Sequence, residues 1–235
     1  MKQKREAIYL AAAAVTLAAA FALGVHDARA DQPATQPPQT DVQVIALQPS
    51  IDAIVPSTRP GFSGEFGVPI DANSVRFLID GQDVSMTAYV SRTDFMFSAP
   101  FDLAPQRHTA EITGKAMNGA GFDKSWSFGS SASGSAVNFV NDLSPMPGSL
   151  VGASFTVTGS TLPNSRVRVA ASPALAPSGA LAAGDATFTI DATAGADGRF
   201  AAPVQMATPG PVTVRVVSID PATNAGASAT ISLHD

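Results

Sequence analysis

From position 42 onward, apolar side chains recur at every second position in short segments that end at Gly, Pro, Asn or Asp. The clearest segment is SVRFLIDGQDV, in which Val75, Phe77 and Ile79 fall on one face of a strand. A period of two is typical of a half-buried β-strand, and no segment sustains the helical period. Asp80 and Gly81 tolerate the positive φ angles of a tight turn. The segment therefore predicts a strand, a hairpin turn and the start of a second strand.

Further alternating segments lie on both sides of this hairpin. Their apolar positions are Phe62, Gly64 and Phe66; Phe95 and Phe97; Ala110 and Ile112; and Trp126 and Phe128. Short strands separated by turn residues are the pattern of a β-sandwich. The sequence therefore predicts a first sandwich domain over residues 42–129.

The pattern repeats in the second half of the chain. Residues 130–136, SSASGSA, have the composition of a flexible linker, and a second domain is predicted over residues 137–235. Its alternating positions include Phe155 and Val157, Val167 and Val169, and Ala229, Ile231 and Leu233. The stretch Ser172–Ala186 is rich in Pro, Ala and Gly, so we interpret it as a long loop between strands. The predicted fold class is all-β, with two tandem sandwiches.

The first thirty residues have the three parts of a secretory signal peptide: a basic start, the apolar run Ala7–Val25, and the cleavage site Ala28–Ala30. The alternative is an uncleaved membrane anchor, because the run approaches the length that spans a bilayer. We expect cleavage, since the run is rich in alanine and a polar segment follows it at once. Residues 31–41 then form a proline-rich, disordered leader.

Charge excludes several partners. The chain has 14 basic and 19 acidic residues, and loss of residues 1–30 leaves 10 and 17, a net charge of −7. Such a chain lacks the basic surface that binding to phosphate backbones or anionic membranes requires. We therefore expect no nucleic-acid partner. No apolar run after residue 30 is long enough to span a bilayer, so we expect no membrane span in the mature chain. The chain has no cysteine, which excludes disulfides, thiolate metal sites and a cysteine nucleophile.

The region Thr58–Phe128 resembles the bacterial immunoglobulin-like (Ig-like) domains of exported, cell-surface proteins. The resemblance is carried by RPGFSGEFGVPIDANSVRFLIDGQDVS, FMFSAPFDLAPQRHTAEITG and SWSF. Gln106, where the family usually has glycine, and the turn Met117–Phe122 depart from the family pattern. Val151–Leu233 is similar to a second, more divergent module. The resemblance, which extends to fibronectin-III-like domains, implies a sandwich fold, export, and a binding or spacer role without catalytic residues.

Candidate catalytic residues are few. His108 and His234 are the histidines that remain after residue 30, and no G-x-S-x-G motif accompanies them. We expect His108, at a strand start, to be structural, and His234 to lie in a frayed terminus. Carboxylates for glycoside hydrolysis could come from Asp71, Asp80, Asp83 and Asp94. Aspartate is favoured at turns because it bonds its own backbone, so the structural interpretation is preferred for all four.

Asp80 and Asp83, and likewise Asp191 and Asp197, lie around two predicted turns and are the candidate ligands for calcium. Calcium takes six to eight oxygen ligands, and neither pair belongs to an EF-hand or a nonapeptide repeat. The sequence therefore predicts no catalytic residue, no cofactor and no metal site.

Carbohydrate binding usually requires exposed aromatic side chains. Trp126 alternates with Phe128 and should face the core, whereas Tyr89 could point either way. Arg166 and Arg168 are predicted to form a solvated strand face. The preferred hypothesis is an exported, non-catalytic module for protein interaction, adhesion or spacing in the bacterial envelope, located in the periplasm or at the cell surface. Its expected partner is another envelope or surface protein. The alternative is a glycan-binding accessory protein that works beside a secreted enzyme.

Overall fold

The alternating segments form strands that pair into four sheets, two in each half of the chain. The computed structural model describes residues 42–134, 137–173, 188–207 and 210–234, all within one unit, Gln39–Asp235. The predicted signal peptide and leader lie outside the described residues. None of the described residues belongs to a helix with the length and apolarity needed to cross a membrane.

The first half contains nine strands in two sheets. One sheet has the order β1-β3-β7-β6 and the other the order β2-β9-β8-β4-β5. The strands are β1 (Val44–Gln48), β2 (Ile54–Val55), β3 (Gly61–Phe66), β4 (Ile70–Ile79), β5 (Gln82–Asp83), β6 (Tyr89–Val90), β7 (Asp94–Ser98), β8 (Arg107–Ala116) and β9 (Gly121–Ser130). A single 3₁₀ turn, Ser85–Thr87, lies between β5 and β6.

This strand order is that of an immunoglobulin sandwich. In chain order the strands correspond to A, A′, B, C, C′, D, E, F and G, which places A, B, E and D in one sheet and C, F and G in the other. β2 pairs in parallel with β9, whereas β8 pairs antiparallel with both β4 and β9. The Ig-like expectation for the first half is therefore confirmed by topology.

The second half forms a seven-stranded variant of the same sandwich. Its sheets have the orders β10-β11-β14 and β13-β12-β15-β16. The strands are β10 (Asn141–Ser144), β11 (Ser154–Ser160), β12 (Arg166–Pro173), β13 (Phe188–Thr193), β14 (Arg199–Gln205), β15 (Val212–Ile219) and β16 (Gly226–Leu233). The fourth strand, β13, pairs with β12 and not with β14, so it lies in the sheet opposite to that of β6 in the first sandwich.

Each sandwich has its own core, and the predicted alternation supplies it. In the first sandwich Phe62, Phe77, Phe97 and Phe128 are all fully buried, and Trp126 packs in the same cluster. In the second, the buried cluster consists mainly of valine and alanine; its members include Val157, Val167, Val169, Val214, Val216 and Ala202. The predicted all-β class with tandem sandwiches is confirmed.

The predicted hairpin forms at Asp80 and Gly81. Asp80 and Gly81 have φ angles of 51° and 79°, the left-handed values that a two-residue hairpin turn between β4 and β5 requires. Asp80 also fixes the neighbouring strand, because its Oδ1 accepts a hydrogen bond from the Thr109 backbone N–H at 2.8 Å. The hairpin is therefore tied to β8 by a side chain as well as by the sheet.

Three local expectations differ from the structure. Ser172 and Pro173 belong to β12, because their backbone continues the ladder with β15, so the predicted loop begins later; residues 174–186 lie outside the described residues. Ser130, predicted as linker, is the last residue of β9 and is buried. His234 is not frayed at its backbone, since its N–H donates to Ser149 O and its carbonyl accepts from Val151 N–H, both at 2.9 Å. The domain boundaries themselves stay a prediction.

Candidate functional site

His108, the candidate general base, is held on both sides of its ring. Its Nδ1 lies 2.6 Å from Asp80 Oδ2, and its Nε2 lies 2.8 Å from the Ala104 carbonyl oxygen. The side chain is buried against the ring of Phe128. A general base needs a ring nitrogen within reach of the proton that it removes. Both nitrogens of His108 already have oxygen partners, so the geometry is that of a structural residue which fastens the hairpin turn.

Three of the remaining aspartates bond the local backbone, as aspartate does in turns. Asp71 Oδ1 accepts from Asn73 N–H at 3.1 Å, and Asp197 Oδ1 accepts from Arg199 N–H at 3.0 Å. Asp83 Oδ1 accepts from Ser85 N–H at 2.8 Å, and hydrogen bonds from Ser85 hold the pKa of the Asp83 carboxyl below its usual range. Within the described ranges, no three His, Asp or Glu side chains converge as a metal site would require.

The aromatic candidates for glycan stacking are both buried. Trp126 is buried as predicted, and its Nε1–H donates to the Pro49 carbonyl at 3.0 Å. Tyr89, whose direction the sequence left open, is only 5% exposed. Burial raises the pKa of the Tyr89 phenol above its usual value. Neither ring is therefore displayed to a sugar.

The two other aspartates, Asp94 and Asp191, meet at an arginine between the sandwiches. The contact is here called the junction; its members are Tyr89, Asp94, Met96, Arg168, Asp191, Val217 and Ile219. Arg168 of β12 donates from Nη2 to Asp94 Oδ2 of β7 at 2.6 Å. The same guanidinium donates from Nε and Nη2 to the two oxygens of Asp191 on β13, each at 2.6 Å. Arg168 thus joins a carboxylate of each sandwich.

Burial makes this ion pair unlike a surface one. Arg168 is 3% exposed, while the side chains of Asp94 and Asp191 are 29% and 61% exposed. Burial on its own lowers the pKa of the Arg168 guanidinium, but the hydrogen bonds to Asp191 and Asp94 outweigh that effect and raise it. The guanidinium carbon also lies 5.0 Å from the centroid of the Tyr89 ring, a cation–π distance.

Apolar side chains and glycines complete the junction. Met96 of β7 packs with Val217 and Ile219 of β15, all three almost fully buried and separate from the two cores. The backbones come close enough for Gly61 N–H to donate to Asn224 O at 2.8 Å and for Gly226 N–H to donate to Arg59 O at 2.7 Å. A Cβ at Gly226 would lie 2.9 Å from Gly61 Cα. Glycine at this position is therefore required by the close approach.

The prediction that Arg168 lies on a solvated face is wrong. The part of the outer sheet face that carries Arg168 is covered by the first sandwich, so a strand position that would face water in an isolated domain is buried. Arg166, two residues earlier, is exposed as predicted, and its Nη1 donates to Ser63 Oγ at 3.3 Å. The turn role expected for Asp94 is only part of its function, because one carboxylate oxygen accepts from Ser91 Oγ while the other binds Arg168.

A signal for the junction was present in the sequence. Strict alternation fails at Phe95, Met96 and Phe97, where the outward position is apolar, and again at Val216 and Val217. A strand that is buried on both faces gives a continuous apolar run of this kind. The pattern indicates that both faces of these strands are buried. It does not indicate that the outer faces of the two strands pack against each other.

Two open grooves lie on the described part of the second sandwich. One, of about 620 Å³, is lined by polar residues that include Asp142, Ser160, Asp197 and Arg199. The other, of about 450 Å³, lies between the edges of β13 and β14 and is lined mainly by apolar side chains; these include Phe155, Phe188, Ile190, Pro203 and Val204. In neither groove do the described residues pair a nucleophile with a histidine.

The strand order defines two Ig-like sandwiches, and at the junction one sheet of the first packs against one sheet of the second. No family model and no curated protein matches the chain. Among solved structures it is similar to the N-terminal Ig1-2 module of Drosophila Receptor Protein Tyrosine Phosphatase DLAR, at 12% identity and TM-score 0.38, covering 83% of this chain and 98% of that chain.

Two further solved structures are similar in part. One matches less than half of this chain, and in the other the match spans less than half of that structure's own chain. CopC from Methylosinus trichosporium OB3b is 13% identical, with TM-score 0.34, and covers 41% of this chain and 99% of its own. The tetra-tandem repeat in the extending region of a large adhesion protein is 18% identical, with TM-score 0.28, covering 83% of this chain and 48% of that chain. All these TM-scores are too low to carry an argument, so the Ig-like assignment depends on the strand order.

Proposed function

We propose that this chain is an exported, non-catalytic module of two Ig-like domains, over residues 42–129 and 137–235, that serves protein interaction, adhesion or spacing in the bacterial cell envelope. The observation that carries the proposal is the junction. Arg168 binds a carboxylate from each sandwich in a setting that excludes water from the guanidinium. A pair of domains fixed in this way can hold its free ends and loops at a constant separation, which is what a spacer or adhesion module needs.

The side-chain chemistry supports the same proposal. The groups that could have performed a reaction, His108 and the aspartates, are bonded to the backbone or to each other in ways that stabilise turns and the junction. A catalytic site directs a nucleophile, a base and an orienting group at one position. Among the described residues, His108 and these aspartates instead form hydrogen bonds with the backbone or with other side chains.

Exposed apolar side chains offer positions at which a partner can be detected. Met86, Ile54 and Leu150 are at least half exposed and lie in the 3₁₀ turn of the first sandwich, on its edge strand β2, and near the last strand of the second sandwich. Single large apolar side chains on a surface are common and do not define an interface. They are useful as probe sites because substitution there leaves both cores unchanged.

The proposal is tested by photo-cross-linking in the native host. A benzophenone side chain at each of these three positions in turn, in the full chain, is expected to give a discrete adduct with one envelope or surface protein from at least one position. Cell fractionation should place the chain outside the cytoplasm. The proposal is contradicted if the chain stays in the cytoplasm, or if no position gives an adduct while a strain without the chain has an unaltered envelope.

A further inference from the structure

A second arginine, Arg215, lies on the same outward sheet face as Arg168 but has different partners. Arg215 of β15 stands in register with Ala170 of β12 on one side and with Thr230 of β16 on the other. This row is adjacent to the row of Asp191, Arg168 and Val217, which the first sandwich covers. Arg215 is half-buried and Thr230 beside it is exposed, so Arg215 lies at an edge of the covered part of the sheet.

The guanidinium of Arg215 makes one contact with the first sandwich. Its Nη1 donates to the carbonyl oxygen of Met86, in the 3₁₀ turn, at 2.7 Å. The ion pairs among the described residues do not include Arg215. Burial lowers the pKa of the Arg215 guanidinium, whereas at Arg168 two carboxylates outweigh the same effect. Arg215 is thus a partly desolvated cation that no described carboxylate compensates.

The surroundings of Arg215 suit a carboxylate. Two outward positions next to it carry hydroxyl groups: Thr213 on its own strand, which is half-buried, and Thr230 opposite, which is exposed. The side chain of Met86 is 50% exposed beside it. A guanidinium has five N–H donors in a planar fork that matches a carboxylate, and one of them is used by Met86 O. Arginine and methionine are both enriched in protein interfaces.

We propose that Met86, Thr213, Arg215 and Thr230 form a docking surface, here called the Arg215 surface, for an acidic side chain of a protein partner. The proposal rests on the interaction function proposed above and specifies its chemistry. Charge complementarity selects the occupant. A cation that no described carboxylate pairs with favours an anion, and the adjacent apolar side chain of Met86 can contact the rest of a peptide. Since Met86 belongs to one sandwich and Arg215 to the other, the surface is complete only while the junction is closed.

The test uses NMR titration of the exported chain with an acetylated tetraglutamate peptide, with tetraglutamine as the neutral control. The tetraglutamate peptide is expected to shift the Arg215 side-chain Nε–H and the amides of Met86, Thr213 and Thr230 in a saturable manner. Tetraglutamine should not. Arg215→Met should weaken binding at least about tenfold, the loss expected when a charge-assisted pair is removed, and Arg215→Lys should weaken it less.

Two further variants make the test specific. Arg76→Met removes an exposed arginine of the first sandwich and should leave the titration unchanged. Asp94→Asn keeps Arg215 but weakens the junction, so the affinity for the tetraglutamate peptide should fall as well. The proposal is overturned if Arg215→Met binds as the wild type does, or if Arg76→Met has an equal effect. A cross-linked partner found only from Ile54 or Leu150 would keep the proposed function and reject the Arg215 surface.

Thermal melts give a readout that does not depend on the peptide. Arg168→Met should lower the melting temperature, because it leaves Asp94 and Asp191 without their shared cation. Arg215→Met should leave it unchanged or raise it, because it removes a charge that burial disfavours. A fall for Arg215→Met as large as that for Arg168→Met would make Arg215 a structural residue and overturn the proposal.

Discussion

The two sandwiches share one fold but fill their cores differently. In the first, the Phe62 ring stacks on Phe97 at 4.8 Å between centroids and meets Phe128 edge-on at 5.4 Å, while Phe77 lies 4.8 Å from Phe95. In the second, the fully buried positions are held mostly by valine and alanine. Aromatic side chains bury more apolar area than valine and gain from ring contacts as well. The first core therefore has the larger stabilising term per buried side chain.

The junction buries part of the outer face of one sheet in each sandwich, and in the second sandwich this burial adds to a core with fewer aromatic rings. Along β12 six consecutive residues are buried, whereas β14 alternates strictly between exposed and buried positions. The extra burial in β12 includes Arg168, which the junction covers. We infer that the first sandwich is stabilised mainly by its own core, and that the second depends in part on the first.

The largest expected effect separates the two cores. Phe62→Ala should lower the free energy of unfolding of the first sandwich by about 3–5 kcal/mol, since it leaves a cavity among stacked rings. Val157→Ala, an equally buried position in the second sandwich, should cost only about 2 kcal/mol, because fewer methyl groups are lost.

Chemical denaturation measures both values. Trp126 is the single tryptophan and reports the first sandwich by fluorescence, while circular dichroism reports both. Equal losses for the two variants would contradict the contrast between the cores.

The next effect concerns the dependence of the second sandwich on the first. Arg168→Met should cost about 2–3 kcal/mol, less than for a fully buried pair because Asp191 keeps contact with water. The loss should appear mainly in the circular dichroism transition and less in Trp126 fluorescence. Arg199→Met, at an exposed position on β14 of the same sandwich, is the control and should change stability by less than about 0.5 kcal/mol. A loss of equal size for both arginines would show that Arg168 has no special role.

A steric change at the junction should have a smaller effect. Gly226→Ala places a Cβ against Ser98 Cβ at 2.6 Å and against the backbone of Gly61, so the two sandwiches must move apart. The expected cost is about 1–2 kcal/mol. Gly152→Ala is the control, because no atom lies within 4 Å of the added Cβ. If both alanine variants unfold at the same denaturant concentration, the close approach at the junction contributes nothing.

The smallest expected effect depends on pH. Burial raises the pKa of Tyr89 in the folded state above the ordinary value of 10.0, so the unfolded chain releases this proton first as the pH rises. The stability that the protonated Tyr89 phenol contributes is fully present below the pKa of Tyr89 in the unfolded chain. It is lost as the pH rises through the pKa of Tyr89 in the folded chain. Tyr89→Phe should therefore lose less stability than the wild type between neutral and strongly alkaline pH. The free energy of unfolding of both proteins is measured by chemical denaturation at the two pH values. If the wild type and Tyr89→Phe lose the same stability, the pKa of Tyr89 is not raised by folding.

The sequence predicts each sandwich better than it predicts their contact. Val75, Phe77 and Ile79 are all buried on one strand face, and Asp80 and Gly81 form the turn, because both features depend on neighbouring residues.

The alternation along its strand predicts that Arg168 faces water. No local pattern pairs Arg168 with Asp94, which lies 74 residues earlier in the chain. Met96 and Val217 broke the alternation and so indicated burial on a second face. The identity of the covering surface is a property of the folded pair of domains, which local periodicity does not encode.

The rigidity that we infer for the junction can be tested directly by pulsed electron paramagnetic resonance. The chain has no cysteine, so Met117→Cys in the first sandwich and Met146→Cys in the second, both at exposed positions, can carry two spin labels without other changes. We predict one narrow distance distribution for this double variant and a broad one when Arg168→Met is added. A broad distribution with Arg168 in place would contradict a fixed junction between the two sandwiches.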